Sequence, residues 1–123
     1  MYQTRSTGGF LIEHDGKFLH MDPGPGALAQ MQRIRYDLTR TDSVIISHCH
    51  PDHYSDAACV IEGMTRGGWE KRGSLYGSET VINGTGGLGP ALSPYHLSRP
   101  AHTAAFRPGD VLNVDGMRVE ICR

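Results

Sequence analysis

The sequence predicts an α/β fold in a single domain. Two kinds of segment alternate along the chain: short apolar runs rich in β-branched residues, which are typical of strands, and segments with an apolar residue at every third or fourth position, which are typical of helices. A chain of 123 residues is long enough to bury one core. We therefore expect strands and helices packed into one domain that spans residues 1–123.

The chain is expected to open with two antiparallel strands. The first lies within residues 7–14, and the second follows at Lys17 to Met21 after the hairpin-type turn Asp15-Gly16. The next segment, Asp22-Pro23-Gly24-Pro25-Gly26, contains two prolines that cannot donate a backbone hydrogen bond and two flexible glycines. We predict a loop there.

A helix, a buried strand and a second helix are predicted next. The strand is the β-branched run at residues 43–47. The first helix, starting at Ala27, and the second, ending before Gly67-Gly68, are indicated by apolar residues at helical spacing. These residues are Leu28, Met31, Ile34 and Leu38 in the first, and Tyr54, Ala57, Ala58, Ile61 and Met64 in the second.

The last third of the chain is less regular. We predict a strand at residues 74–77, a short helix at 79–83, and a loop over the segment 84–100, which is rich in Gly, Pro and Ser. Alternating apolar residues on both sides of the turn Asp115-Gly116 then predict a hairpin over residues 110–121.

Composition narrows the possible partners and the compartment. The chain has 12 basic and 13 acidic residues, a net charge of −1, so no excess of positive charge supports nucleic-acid binding. No apolar stretch is long enough for a signal peptide or a membrane span, and we expect no membrane partner. Three cysteines without a C-x-x-C pair fit a reducing compartment, so a cytoplasmic protein is expected.

The stretch SHCHPDHYSD, residues 47–56, holds the strongest candidate site. Alternation along an extended segment would place His48 and His50 on one face, and Pro51 would then start a helix whose first turn carries Asp52 and His53. Imidazoles and a carboxylate suit Zn²⁺, with Fe or Mn also possible. The other four histidines are isolated, and such residues are more often on the surface or hydrogen-bonded than bound to a metal.

The motif His48-x-His50-x-Asp52-His53 resembles the H-x-H-x-D-H signature of the metallo-β-lactamase fold superfamily of hydrolases. The segments Gly8-Gly9-Phe10-Leu11-Ile12 and Met21-Asp22-Pro23-Gly24 are also similar to that family's opening hairpin and first acidic position. The resemblance implies the N-terminal half of an αββα sandwich.

The resemblance also implies roles for the site residues. His48 and His50 would bind one Zn²⁺ ion, and Asp52 and His53 a second. Asp52 would also orient the attacking water or move its proton, and Asp22 would accept a hydrogen bond from a ligand N–H. The implied activity is metal-dependent hydrolysis of a small-molecule ester, thioester, lactone or phosphodiester. Asp56 stands where glyoxalase II-like and RNA-processing members have glycine, which makes the chain a less typical member of either group, and thioester, lactone, phosphodiester and lactam substrates all remain open.

The sequence departs from the family pattern in its C-terminal part. The family takes further metal ligands from the second half of its fold, and no histidine follows the last predicted hairpin. We therefore expect an incomplete domain that is inactive alone and needs a missing segment, a complementing chain or a second copy of itself.

Two alternatives remain at this stage. One is a non-catalytic half-domain that binds metal or a partner. The other is a JAB/MPN-like metallopeptidase, suggested by His48-Cys49-His50-Pro51, although Cys59 and Glu62 then occupy the expected serine and aspartate positions. Alternation directs Cys49 away from the histidines, so we interpret it as a small core residue.

Overall fold

The computed structural model describes residues 9–48, 50–87 and 89–122. Its main feature is a five-stranded sheet in sequential order, in which β1 pairs antiparallel with β2 and the other neighbouring pairs are parallel. The strands are β1 (Phe10–His14), β2 (Lys17–Met21), β3 (Thr41–Ile46), β4 (Ser74–Ser78) and β5 (His102–Phe106). A separate hairpin follows, made of β6 (Val111–Val114) and β7 (Met117–Glu120).

Short helices connect the parallel strands. They are α1 (Ala27–Arg33), α2 (Pro51–Tyr54), α3 (Ala57–Met64), α4 (Glu79–Asn83) and α5 (Pro94–Ser98), with a 3₁₀ turn at Leu38–Arg40. In the part of the chain that the structure describes, no helix is both long and apolar enough to cross a bilayer.

The two faces of the sheet bury different layers. Val44 and Ile46 of β3 face the helices, where they join Val60, Ile61 and other fully buried side chains. Ile45, which points the opposite way, packs in a second cluster with Leu19, Phe106 and Val114. The period-two alternation of a strand thus places helices on one face and the hairpin on the other.

The hairpin is attached to the sheet by a polar contact as well as by apolar packing. The hydroxyl of the buried Ser43 in β3 donates a 2.6 Å hydrogen bond to Oδ2 of Asp115 at the hairpin turn. Asp115 has a φ of 50°, a conformation that Asp tolerates in tight turns. This layer of strands on the second face agrees with the predicted α/β class and with one half of an αββα sandwich.

Both long helices predicted from the sequence are interrupted. The first ends at Arg33 rather than near Leu38, since Arg35 adopts a φ of 56° and a 3₁₀ turn follows. The second is divided into α2 and α3 at Ser55 and Asp56. There the Asp56 N–H donates to the Pro23 carbonyl, and its Oδ2 accepts from the Leu28 N–H, so Asp56 is bound to the preceding loop.

The segment predicted as loop over residues 84–100 contains α5. Ser93 caps this helix by accepting from the His96 N–H, and Pro94 occupies its first turn, which is a standard helix start. The next strand, β5, was not predicted, because its sequence HTAAF has no alternating apolar pattern. The predicted strand at 74–77 and helix at 79–83 are present as β4 and α4.

Candidate metal centre

The candidate site lies where β2 and β3 end side by side. In parallel strands the carboxyl ends share one edge of the sheet, and ligand sites of α/β folds commonly form there. Met21 pairs with Ile45, which brings Asp22 next to the end of β3. The Asp22 N–H extends this pairing by donating a 2.8 Å hydrogen bond to the Ile45 carbonyl.

The strand β3 ends at Ile46, so the histidine cluster lies on the following loop and helix rather than on the strand itself. Pro51 starts α2, with His50 at its N-cap in an extended conformation and Asp52 and His53 in its single turn. The His53 N–H donates to the His50 carbonyl, which closes this turn. The predicted switch from extended chain to helix at Pro51 is therefore present.

Asp22 is the hydrogen-bonding centre of this region. Its Oδ1 accepts from the Ser47 N–H at 2.7 Å, and its Oδ2 accepts from the Ser47 hydroxyl at 2.7 Å. Oδ2 also lies 3.2 Å from Nδ1 of His53. The Ser47 Oγ in turn lies 2.6 Å from Nδ1 of His48. One carboxylate thus contacts one histidine directly and a second through a serine.

The three imidazole rings lie close together. The His48 and His53 rings are stacked, with centroids 4.2 Å apart and planes within 7° of each other. The His48 and His50 centroids are 5.9 Å apart. Asp52 Oδ2 lies 3.5 Å from His53 Nε2. His48, His50 and Asp52 are exposed and His53 is half-buried, so solvent reaches the cluster.

The donor chemistry of this cluster fits a divalent transition metal. Imidazole nitrogens and carboxylate oxygens are the ligands that Zn²⁺, Fe and Mn take, and ligating histidines commonly donate their other ring N–H to a carboxylate, a backbone carbonyl or water. Among the described residues, however, no group of three or more His, Cys, Asp or Glu side chains is already spaced to hold one ion. The donor types fit, but the ligand set is not preassembled.

The structure brings together the site residues predicted from the sequence, as far as it describes them. Asp22, His48, His50, Asp52 and His53 lie in one region, and their roles as metal ligands or as metal-supporting groups stay predictions. Cys49, predicted to face the core, lies outside the described residues, as does Gly8. Ser47 was not predicted as a site residue, although its place directly before the first histidine was the signal available in the sequence.

Comparison with known proteins identifies the family. Residues 17–121 match the model of the β-lactamase superfamily domain. The uncharacterized protein MJ1374 of Methanocaldococcus jannaschii is 40% identical over 108 residues, which are 88% of this chain and 41% of that protein. A ribonuclease Z of Methanosarcina acetivorans is 27% identical over 93% of this chain and 37% of its own length. The chain therefore spans about two fifths of these relatives.

Solved structures show the same fold. The metallo-β-lactamase fold protein YhfI of Bacillus subtilis superposes with a TM-score of 0.64 at 24% identity, over 90% of this chain and 44% of that one. The metallo-β-lactamase MIM-1 of Novosphingobium pentaromativorans gives a TM-score of 0.51 at 17% identity, over 88% and 41%. The family match does not favour the JAB/MPN-like alternative or the non-catalytic one. By sequence and by fold, this chain belongs to the metallo-β-lactamase superfamily.

Proposed function

We propose that the chain forms part of a metal-dependent hydrolase. The observation that carries this proposal is the meeting of three imidazoles and two carboxylates at the carboxyl ends of β2 and β3, tied together by hydrogen bonds through Asp22. Carboxylates that engage one ring nitrogen of a histidine fix the ring and leave the other nitrogen for a metal ion, and the contacts of Asp22 with His53 and, through Ser47, with His48 are of this kind.

His48 and His50 would hold one divalent ion, and Asp52 and His53 a second. The stacking of His48 on His53 supports this division, because the in-plane lone pairs of nearly parallel rings run side by side and do not converge on one point. When bound, such ions lower the pKa of coordinated water and polarise the scissile bond. Zn²⁺ is the proposed metal, with Fe and Mn as alternatives.

Asp52 is the proposed general base. Its side chain is 59% exposed, so it can reach solvent and substrate as well as the ring of His53. A carboxylate in this position can orient a water molecule and accept its proton. Asp22 has a different role in this proposal, since its carboxylate is occupied by Ser47 and His53 and holds the ring of His53 in place.

Phosphodiesters are the first substrate class to test, followed by thioesters and lactones. Several relatives carry the name ribonuclease Z, and this is the specific support for a phosphodiester. Asp56 in place of the glycine of RNA-processing members, and a net charge of −1, argue for a small diester rather than a long nucleic acid. Cysteine usage supports a reducing, cytoplasmic setting, with Cys59 and Cys122 both free.

The first test is metal analysis of the purified protein after exposure to Zn²⁺ or Mn²⁺ and removal of excess ion. The proposal expects bound metal, and a lower metal content in a variant with both His48→Ala and His50→Ala, which removes the two histidines assigned to one ion. Ser55→Ala, which changes an exposed residue at the end of α2, is the matched control and should retain metal. If the double variant retained as much metal as the wild-type chain, the proposed site would be contradicted.

The second test concerns catalysis. Hydrolysis of an aryl phosphodiester, a thioester and a lactone is measured with the chain joined to whatever segment or partner completes its ligand set. Asp52→Asn should reduce turnover by at least about 100-fold, the usual minimum for loss of a general base, while leaving the fold intact. Metal binding without turnover on any substrate would favour the non-catalytic alternative.

A further inference from the structure

The hydroxyl of Ser47 joins the two halves of the candidate centre. It lies between the carboxylate of Asp22, at 2.7 Å, and Nδ1 of His48, at 2.6 Å. Its own backbone N–H donates to the other carboxylate oxygen of Asp22, so the serine is held at two points. The hydroxyl has one hydrogen and two close neighbours, so it can donate a hydrogen bond to only one of them.

That hydrogen must point to Asp22. An ionised carboxylate only accepts hydrogen bonds, so the 2.7 Å contact requires the serine to donate, and the alternative would place two lone pairs against each other. The Ser47 oxygen is then left as an acceptor toward His48. The 2.6 Å contact to Nδ1 therefore requires that His48 carries its proton on that nitrogen.

The position of the proton on His53 follows from its direct contact with Asp22. Its Nδ1 lies 3.2 Å from Oδ2 of Asp22, the oxygen that also accepts from Ser47. The carboxylate again requires a proton on Nδ1. A neutral imidazole protonated on Nδ1 has its lone pair on Nε2, and only a nitrogen with a lone pair can bind a metal.

We propose that Ser47 is a positioning residue that holds His48 in the Nδ1–H tautomer and so directs its Nε2 lone pair to the metal. Asp22 sets the tautomers of two histidines at once, His53 directly and His48 through Ser47. The inference rests on the proposed function for its use of metal, but the tautomer itself is a property of the metal-free chain.

The decisive measurement is the tautomeric state of His48 in metal-free protein. Long-range proton–nitrogen NMR correlations of ¹⁵N-histidine-labelled chain distinguish Nδ1–H from Nε2–H rings, and the His48 signal is assigned by its loss in His48→Gln. We expect Nδ1–H for wild-type His48 at a pH where the ring is neutral. If His48 of the wild-type chain is instead protonated on Nε2, the proposal is overturned.

Ser47→Ala and Ser47→Thr then test the role of the hydroxyl. The Ala variant should lose the Nδ1–H preference and bind Zn²⁺ about 10–100-fold more weakly in competition with a chromophoric chelator, whereas the Thr variant, which keeps the hydroxyl, should retain both. An unchanged tautomer in Ser47→Ala would overturn the proposal. If the Nδ1–H tautomer is present but the chain joined to a segment or partner that completes its ligand set hydrolyses none of the substrates, the proposed function fails and the positioning role stands.

Discussion

At the residue scale, Asp22 combines a turn with contacts to the residues of the candidate site. Its backbone has a φ of 51°, a left-handed conformation that Asp adopts more readily than most residues, and Pro23 follows it. The resulting bend ends β2 while the side chain turns toward Ser47 and His53. The predicted loop is therefore present, and the residue that begins it also contacts Ser47 and His53, while its support of a metal ligand stays a prediction.

Gly9 allows this turn to form, and its replacement is the residue-scale prediction. Gly9 has a φ of 76°, and a Cβ on it would collide with the backbone carbonyls of Met21 and Asp22. Gly9→Ala should therefore displace Asp22 and weaken Zn²⁺ retention about 10-fold or more, the size of effect expected when a group supporting a metal ligand is lost. Retention is measured by chelator competition.

Gly16→Ala is the matched control for this prediction. Gly16 has the same φ of 76°, but a Cβ there would meet nothing within 4 Å. Both variants incur the cost of a left-handed alanine, about 1–2 kcal/mol in free energy of unfolding, and only Gly9→Ala adds the collision. Equal Zn²⁺ retention by the two variants would show that the Gly9 contact does not control the site.

At the element scale, Arg72 ties the start of β3 to the end of α3. Its guanidinium donates to the carbonyls of Thr39, Thr41 and Met64 at 2.7–3.0 Å. It also forms a 3.1 Å ion pair with Asp42, whose side chain is only 16% exposed. Nothing in the sequence singles out this arginine, because its partners are carbonyls that any residue would supply.

Removal of this guanidinium should destabilise the fold. Arg72→Ala leaves carbonyls and a largely buried carboxylate without their donor, so we expect a loss of about 2–4 kcal/mol in the free energy of unfolding. Arg66→Ala is the control, because Arg66 forms an exposed ion pair with Glu70 four residues along the chain, and such surface pairs contribute about 0–1 kcal/mol. Urea denaturation of both variants makes the comparison, and similar midpoints would refute the role given to Arg72.

The elements that were predicted correctly share a strong local signal. The opening hairpin, β3 and the last hairpin have apolar alternation or a β-branched run next to a turn residue. The breaks in the helices and the strand β5 depend on tertiary contacts, such as the binding of Asp56 to the Pro23 carbonyl, which leave no local pattern. The candidate site also contains residues with a local sequence signal and one without it. Spacing pointed to His48, His50, Asp52 and His53, whereas Ser47 was revealed only by its contacts.

At the scale of the whole molecule, the described chain presents strand edges without a partner among the described residues. The hairpin strands β6 and β7 pair only with each other there, and Val111 of β6 is 53% exposed. In the main sheet, β1 and β5 occupy the two edges, and Phe10 of β1 is 67% exposed. Unpaired edges with exposed apolar side chains favour association with another strand.

The last prediction follows from these edges and from the ligand count. The proposed assignment gives two donors to each of two ions, and a catalytic pair of ions held about 3.5–4 Å apart needs more. The 123-residue chain, kept monomeric as verified by light scattering, should therefore bind Zn²⁺ or Mn²⁺ partially and show no turnover of phosphodiester, thioester or lactone. Under the proposed function, a segment or partner chain that donates further ligands to the cluster should raise metal occupancy and permit turnover. Turnover by the monomer that is abolished in His50→Ala would prove this wrong, since it would mean that the four residues of the motif suffice for catalysis.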